Sequence, residues 1–151
     1  MGGFSIWHLL ILVLVIPFGL AAFLPLFIKP RGPNRFGPPA SPRSFPSAFV
    51  TCMKKYADFS GRARRSEFWW YRLAVVLILA AGAIITHGSV LTDLVSLAFF
   101  LPDLAVSTRR LHDLNRSGWW VLLSFTGIGV ISLIVLLAWP SQKDADAASV
   151  F

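Results

Sequence analysis

Arg109-Arg110-Leu111-His112-Asp113-Leu114-Asn115-Arg116-Ser117-Gly118-Trp119-Trp120 is the densest polar cluster in a chain that is otherwise mostly lipid-soluble. It holds three arginines, one histidine and one aspartate, and it ends in a tryptophan pair. Apolar runs flank it, from about Ser89 to Val106 on one side and from about Trp119 to Trp139 on the other. Runs of this length approach the roughly 20 residues that cross a bilayer as a helix, so the cluster reads as a turn between two membrane spans. Composition agrees. The 151 residues are 56% hydrophobic and 14% charged, with a mean hydropathy of +0.68, against roughly 25% charged in soluble domains. This is one small domain whose solvent is lipid.

Two further spans lie upstream. Phe4 to Ile28 is apolar, with His8 its only titratable side chain, and Met1-Gly2-Gly3 offers no basic start for a cleaved signal. Residues 1–28 therefore read as an uncleaved membrane anchor. Residues 29–46 form a linker with six prolines, a composition that favours extended and turn conformations over helix. Ser47 is placed to cap a short helix reaching about Phe59. Phe49, Val50, Met53, Tyr56 and Ala57 share one face of it, with Lys54, Lys55 and Asp58 opposite, so it either lies in the membrane interface or packs on the end of the bundle. The next span runs from about Trp69 to Thr86, and His87-Gly88 makes a tight turn into the one after it. Residues 47–140 are thus a three-span membrane domain, and Ser141 to Phe151 a polar tail. The expected architecture is all-α: an integral membrane bundle of four transmembrane helices plus a short amphipathic interfacial helix.

Sidedness follows from charge. Nine of the fourteen basic residues lie between Lys29 and Phe68, and Arg109, Arg110 and Arg116 lie in the loop after the third span. Loops rich in Lys and Arg stay cytoplasmic, so loops 29–68 and 107–117 face inward, with the N-terminus and the tail outside. Trp69, Trp70, Trp119 and Trp120 then fall at the inner interface as aromatic anchors.

Two constellations carry candidate chemistry. If the third helix continues inward, Arg109, His112, Asp113 and Arg116 share a face. They then form either an anion site, with His112 and Asp113 available for acid–base work, or a structural ion-pair network. Glu67, set among Arg62, Arg64 and Arg65, is within reach of Arg109 or Arg110 across the inner face. Arg72 and Asp103 are charges inside spans, each about three residues from the inner end. They could pair, or Arg72 could reach the headgroups while Asp103 meets backbone freed by Pro102. A single cysteine, Cys52, excludes an internal disulfide, and the sequence calls for neither cofactor nor metal. Apolar runs make lipid, rather than nucleic acid, the partner of the basic excess.

Two blocks, Tyr56-Ala57-Asp58-Phe59-Ser60-Gly61-Arg62-Ala63-Arg64-Arg65-Ser66-Glu67-Phe68-Trp69-Trp70 and Arg109-Arg110-Leu111-His112-Asp113 with Arg116-Ser117-Gly118-Trp119-Trp120, resemble those of the DUF 805 family of bacterial inner-membrane proteins, over about residues 48–137. The resemblance implies a small polytopic membrane protein and brings no established activity. The family commonly ends in a tail similar to Gly32-Pro33-Asn34-Arg35-Phe36-Gly37-Pro38, which here follows the first span, as if permuted. Met1 to His8 resembles the start of the pore-forming subunit of the twin-arginine translocase.

The leading expectation is a non-enzymatic protein whose basic cytoplasmic face binds anionic lipid headgroups or a protein partner, or assembles with further copies of itself. The alternatives are a small transporter or channel subunit using Arg72 and Asp103, and a membrane enzyme acting on a phosphorylated lipid through the arginine cluster.

Overall fold

The structure, a computed structural model, describes residues 32–87 and 89–142 together with positions 27 and 30. The N-terminal run, its resemblance to a translocase subunit and most of the polar tail lie outside the described residues. Five elements follow in order: α1 (Phe45–Lys54), α2 (Arg65–Thr86), α3 (Val90–Asp113), a 3-10 helix (Gly118–Phe125) and α4 (Gly127–Ala138).

α2 and α3 form an antiparallel pair, each long and apolar enough to cross a membrane. At 1.5 Å per residue their 22 and 24 residues span about 33 and 36 Å. Between them His87 takes a left-handed φ of 51°, and the Thr86 and Thr92 hydroxyls meet at 2.7 Å across the turn. At this end the apolar side chains stay uncovered: Ile84, Ile85, Val90, Leu91, Leu94 and Leu97 are all more than half exposed. At the opposite end the packing is dense. Phe68, Tyr71, Val106, Leu111, Leu136 and Leu137 share one buried cluster with Cys52 of α1. Membrane-facing surface and protein core are thus divided along the length of the pair.

α1 packs across the dense end, against α2. Its buried residues are Ala48 and Cys52, with Phe49 and Met53 against the core. The helix starts earlier and ends earlier than its sequence suggests. Ser44 occupies the cap position, where its N–H donates to Ser47 Oγ at 3.0 Å, because a proline such as Pro46 fits the first turn, where no N–H is required. Tyr56, beyond the helix, turns toward α3 and donates its hydroxyl to the Ala98 carbonyl. Pro102 has no N–H to offer that carbonyl four residues back. Tyr71 donates to the next carbonyl, Phe99 O, at 3.4 Å. Two tyrosines thus serve the backbone beside the proline in α3.

The expected fourth span is not one helix. Residues 118–125 form the 3-10 helix, Thr126 turns the chain, and α4 contributes only 12 residues. Both ends of this segment sit at the dense end. Gly118 lies beside Thr108 and His112, while Leu137 O accepts from Arg110 Nε at 3.0 Å and Gln142 N donates to Asp113 O at 3.3 Å. The segment is therefore a hairpin, about 16 Å long in its 3-10 arm at roughly 2.0 Å per residue and about 18 Å in its α arm at 1.5 Å. Neither arm matches the roughly 30 Å of a hydrocarbon core. Apolar length set the expectation of a span, and the small and polar residues Ser124, Thr126, Gly127 and Gly129 break it. Thr126 Oγ1 accepts from Gly129 N at 3.1 Å, capping the returning helix. The described end of the chain consequently lies with the arginine cluster rather than across the bilayer from it.

Candidate functional site

The dense end is built around buried charge. Arg62, Glu67, Arg109, Arg110, Asp113 and Arg116 are all buried, four guanidiniums against two carboxylates. Burying an ion is costly unless geometry and hydrogen bonds repay it, and here each interaction is specific. Arg109 Nη1 donates to Glu67 Oε1 at 2.7 Å, joining α3 to the first turn of α2. Asp113 receives Arg62 Nε at 3.0 Å on one oxygen and Arg110 Nη1 at 2.5 Å on the other. The excess positive charge is met by carbonyls. Arg110 donates to Leu137 O and Trp139 O at the carbonyl-rich end of α4, a favourable place for a cation. Arg62 reaches Gly37 O and Gln142 O, each at 3.2 Å.

The Gly32–Pro38 motif clamps this assembly. Asn34 Nδ2 donates to His112 O at 2.8 Å and to Asp113 O at 3.3 Å, capping the last carbonyls of α3. Asn115 Oδ1 accepts from Arg35 N at 3.2 Å, and Asn115 Nδ2 donates to Pro33 O at 3.2 Å. Phe36 stacks flat on the His112 ring, centroids 3.8 Å apart. Gln142 Nε2 donates to Gly32 O at 3.0 Å, so the exit of the hairpin and the start of this motif touch. Only the odd placement of the motif hints at this docking from the sequence alone.

The candidate residues divide accordingly. Arg109, His112 and Asp113 lie on α3, but the helix stops at Asp113 and Asn115 turns left-handed at φ 56°. Arg116 therefore leaves the expected common face; it is buried, and burial pulls its guanidinium below the usual value. His112 and Asp113 do not converge: Asp113 is held by two arginines, whereas His112 Nδ1 faces Gly61 O at 3.1 Å. Arg64 and Arg65 stand apart from the network, at the start of α2 beside Trp69 and Trp70. Trp119 is exposed, and Trp120 packs on the core. Cys52 lies 3.9 Å from both Glu67 Oε1 and Arg109 Nη2. Burial, with the Glu67 carboxylate adding to it, pushes the thiol up to about 12, so it is a neutral filler and not a nucleophile at pH 7.

Further along the pair, Arg72 and Asp103 meet face to face, Nε to Oδ1 at 2.8 Å and Nη2 to Oδ2 at 2.7 Å. They border an open groove of about 260 Å³ whose other walls include Val75, Val76, Leu79, Phe99 and Phe100. A bidentate pair neutralises both groups locally, and the apolar walls beside it offer little to a polar solute.

These features define a multi-pass α-helical membrane protein, with two spanning helices closed at one end by an ionic assembly. The chain belongs to the family described as a protein of unknown function, DUF805, whose model matches residues 56–147, more than half of its length. It is 42% identical over 97 residues to the inner membrane protein YhaI of Escherichia coli (strain K12), covering 59% of this chain and 78% of that one. It is 34% identical over 84 residues to the inner membrane protein YhaH of the same strain, covering 50% and 69%. No solved structure matches. The two arginine-containing blocks fall within the matched range, whereas the Gly32–Pro38 motif and the N-terminal run fall outside it.

Proposed function

We propose that this is a non-enzymatic inner-membrane protein. In this reading the buried ionic assembly is structural, and the basic residues left outside it bind anionic headgroups of the cytoplasmic leaflet. The observation that carries the reading is the division of the arginines. Those of the central cluster are engaged by carboxylates and carbonyls inside the fold. Arg35, Lys54 and Arg65 keep exposed surface at the same end. A lysine or arginine near an anionic leaflet contributes about 1 kcal/mol. The separation of His112 from Asp113 speaks against the enzymatic alternative, and the mutual pairing of Arg72 with Asp103 against transport through those groups.

The same reading sets the orientation. The N-terminus is outside, anchored by residues 4–28, and loops 29–68 and 107–117 are cytoplasmic, with α1 at that interface and the 118–138 hairpin returning there. The tryptophans supply a test, because Trp69 and Trp119 are 43% and 78% exposed. In vesicles doped with brominated phosphatidylglycerol, tryptophan emission is quenched more than with brominated phosphatidylcholine, and salt reduces the difference. Equal quenching by the two lipids would sink the reading.

A further inference from the structure

We infer that the groove between the start of α2 and the end of α4 is a binding site for the phosphate headgroup of a single anionic phospholipid, a reading that rests on the basic-face proposal and gives it an address. The groove encloses about 740 Å³ and is lined by Arg64, Arg65, Trp69, Trp70, Leu73 and Ala138 among others. Drug-sized ligands occupy sites of roughly 300–1,000 Å³.

Its chemistry is that of an amphiphilic anion. Among the described residues two guanidiniums line the groove and no carboxylate does. The nearest acid in sequence, Glu67, turns into the core onto Arg109. Arg64 Nε and the neighbouring Arg43 Nε are buried and have no hydrogen-bond partner among the described residues. Buried donors of this kind call for an acceptor, and phosphate oxygens suit guanidinium geometry. Beyond the arginines the walls change character. Trp69, Trp70 and Leu73 are each about 40% exposed, and Val76 and Leu77 continue the apolar surface along α2. A phosphate at the arginines would leave acyl chains against that strip, with the indoles at the level where such rings prefer to lie. Free phosphate satisfies the first half of this surface and not the second, so the occupant is a lipid.

The test is native mass spectrometry of the full chain, titrated with phosphatidylglycerol, phosphatidylcholine or inorganic phosphate. Wild-type protein retains one phosphatidylglycerol in preference to phosphatidylcholine, and millimolar phosphate does not displace it. Arg64→Gln with Arg65→Gln lowers that retention by roughly 30-fold, the equivalent of two charges at an anionic surface. Because Arg64 stands at the N-cap position of α2, a second variant, Ala138→Phe, fills the groove without touching a charge and gives the same loss. Arg35→Gln with Lys54→Gln, on the basic face but outside the groove, lowers retention of that one lipid by much less than the groove pair does. If both charge variants weaken phosphatidylglycerol equally and Ala138→Phe does nothing, the basic face stands and the groove is overturned. If wild-type protein shows no preference for phosphatidylglycerol, both fall.

Discussion

Replacing Glu67 by leucine removes the carboxylate from a pair in which the two side chains are 3% and 1% exposed. Arg109 is then left as a buried cation whose remaining polar neighbour is the Cys52 sulfur at 3.9 Å. Arg109→Met does the converse to Glu67. Breaking a buried pair from one side costs about 3–5 kcal/mol, a factor of more than about 100 in the folded-to-unfolded ratio and a large part of a typical total stability of about 5–15 kcal/mol. The double variant Glu67→Leu/Arg109→Met replaces two ions by two apolar side chains in an otherwise apolar cluster. Exchanges of that kind are often neutral or stabilising, so the double variant is expected to be more stable than either single variant. Reversible unfolding in mixed micelles, followed by tryptophan fluorescence, measures all four proteins in one cycle. Additive losses, with the double variant the least stable, would refute the argument; the residues would then be holding the helices by packing and not by charge. Single losses below about 1 kcal/mol would refute it equally, since that is the scale of a solvent-exposed pair.

Gly118→Ala is expected to destabilise the fold by about 1–3 kcal/mol, because an added Cβ would stand 2.5 Å from Thr108 Cγ2 and 3.3 Å from His112 Nε2; thermal unfolding of the variant with and without Thr108→Ala checks this, the second change restoring part of the loss. Cys52 gives a pH dependence. Its thiol titrates near 9.0 when unfolded and near 12 when folded, so the unfolded chain releases the proton first, and stability contributed at neutral pH falls as pH rises through that window. Cys52→Ala removes that part of the slope between pH 9 and 11, and maleimide labels the wild-type thiol at pH 7 only after unfolding. A reporter fused after Gln142 is expected on the same side of the membrane as one inserted at Ser60, since Gln142 donates to Asp113 O at the arginine end; reporters on opposite sides would exclude the hairpin.

The two long helices were legible because apolar length and a tight turn report directly on a spanning pair. For Arg72 and Asp103, equal depth allowed a direct pair or an Arg72 turned to the headgroups, and the structure has the pair. Charge type did not reveal how the arginines divide. Arg62 and Arg65 look alike in sequence, yet one is buried on Asp113 and the other is exposed. Arg62 follows the left-handed Gly61 ahead of α2 and reaches Asp113, whereas Arg65 is the first residue of the helix. Sequence reasoning also missed Tyr56 as a partner for α3, although Pro102 advertises an unserved carbonyl four residues earlier.

The hairpin exposes a limit of counting apolar residues and basic loops. A window from Trp119 to Trp139 passes a length test as one helix, and the scarcity of charge beyond it satisfies an outward tail. What decides its course is the demand of buried groups at the other end. Arg110 lies in the core and has more donors than Asp113 alone can accept, and the end of α4 supplies carbonyls in the right place. The Arg62 guanidinium likewise draws in Gln142 O and Gly37 O. The clamp and the hairpin exit therefore serve one requirement, the satisfaction of excess buried guanidinium by backbone. Their contact at Gly32 and Gln142 explains how the motif can reach its seat from the front of the chain. A segment that docks on backbone carbonyls and on the Asn115 side chain needs proximity to the turn, and the entry to α1 provides it as the exit of the hairpin does.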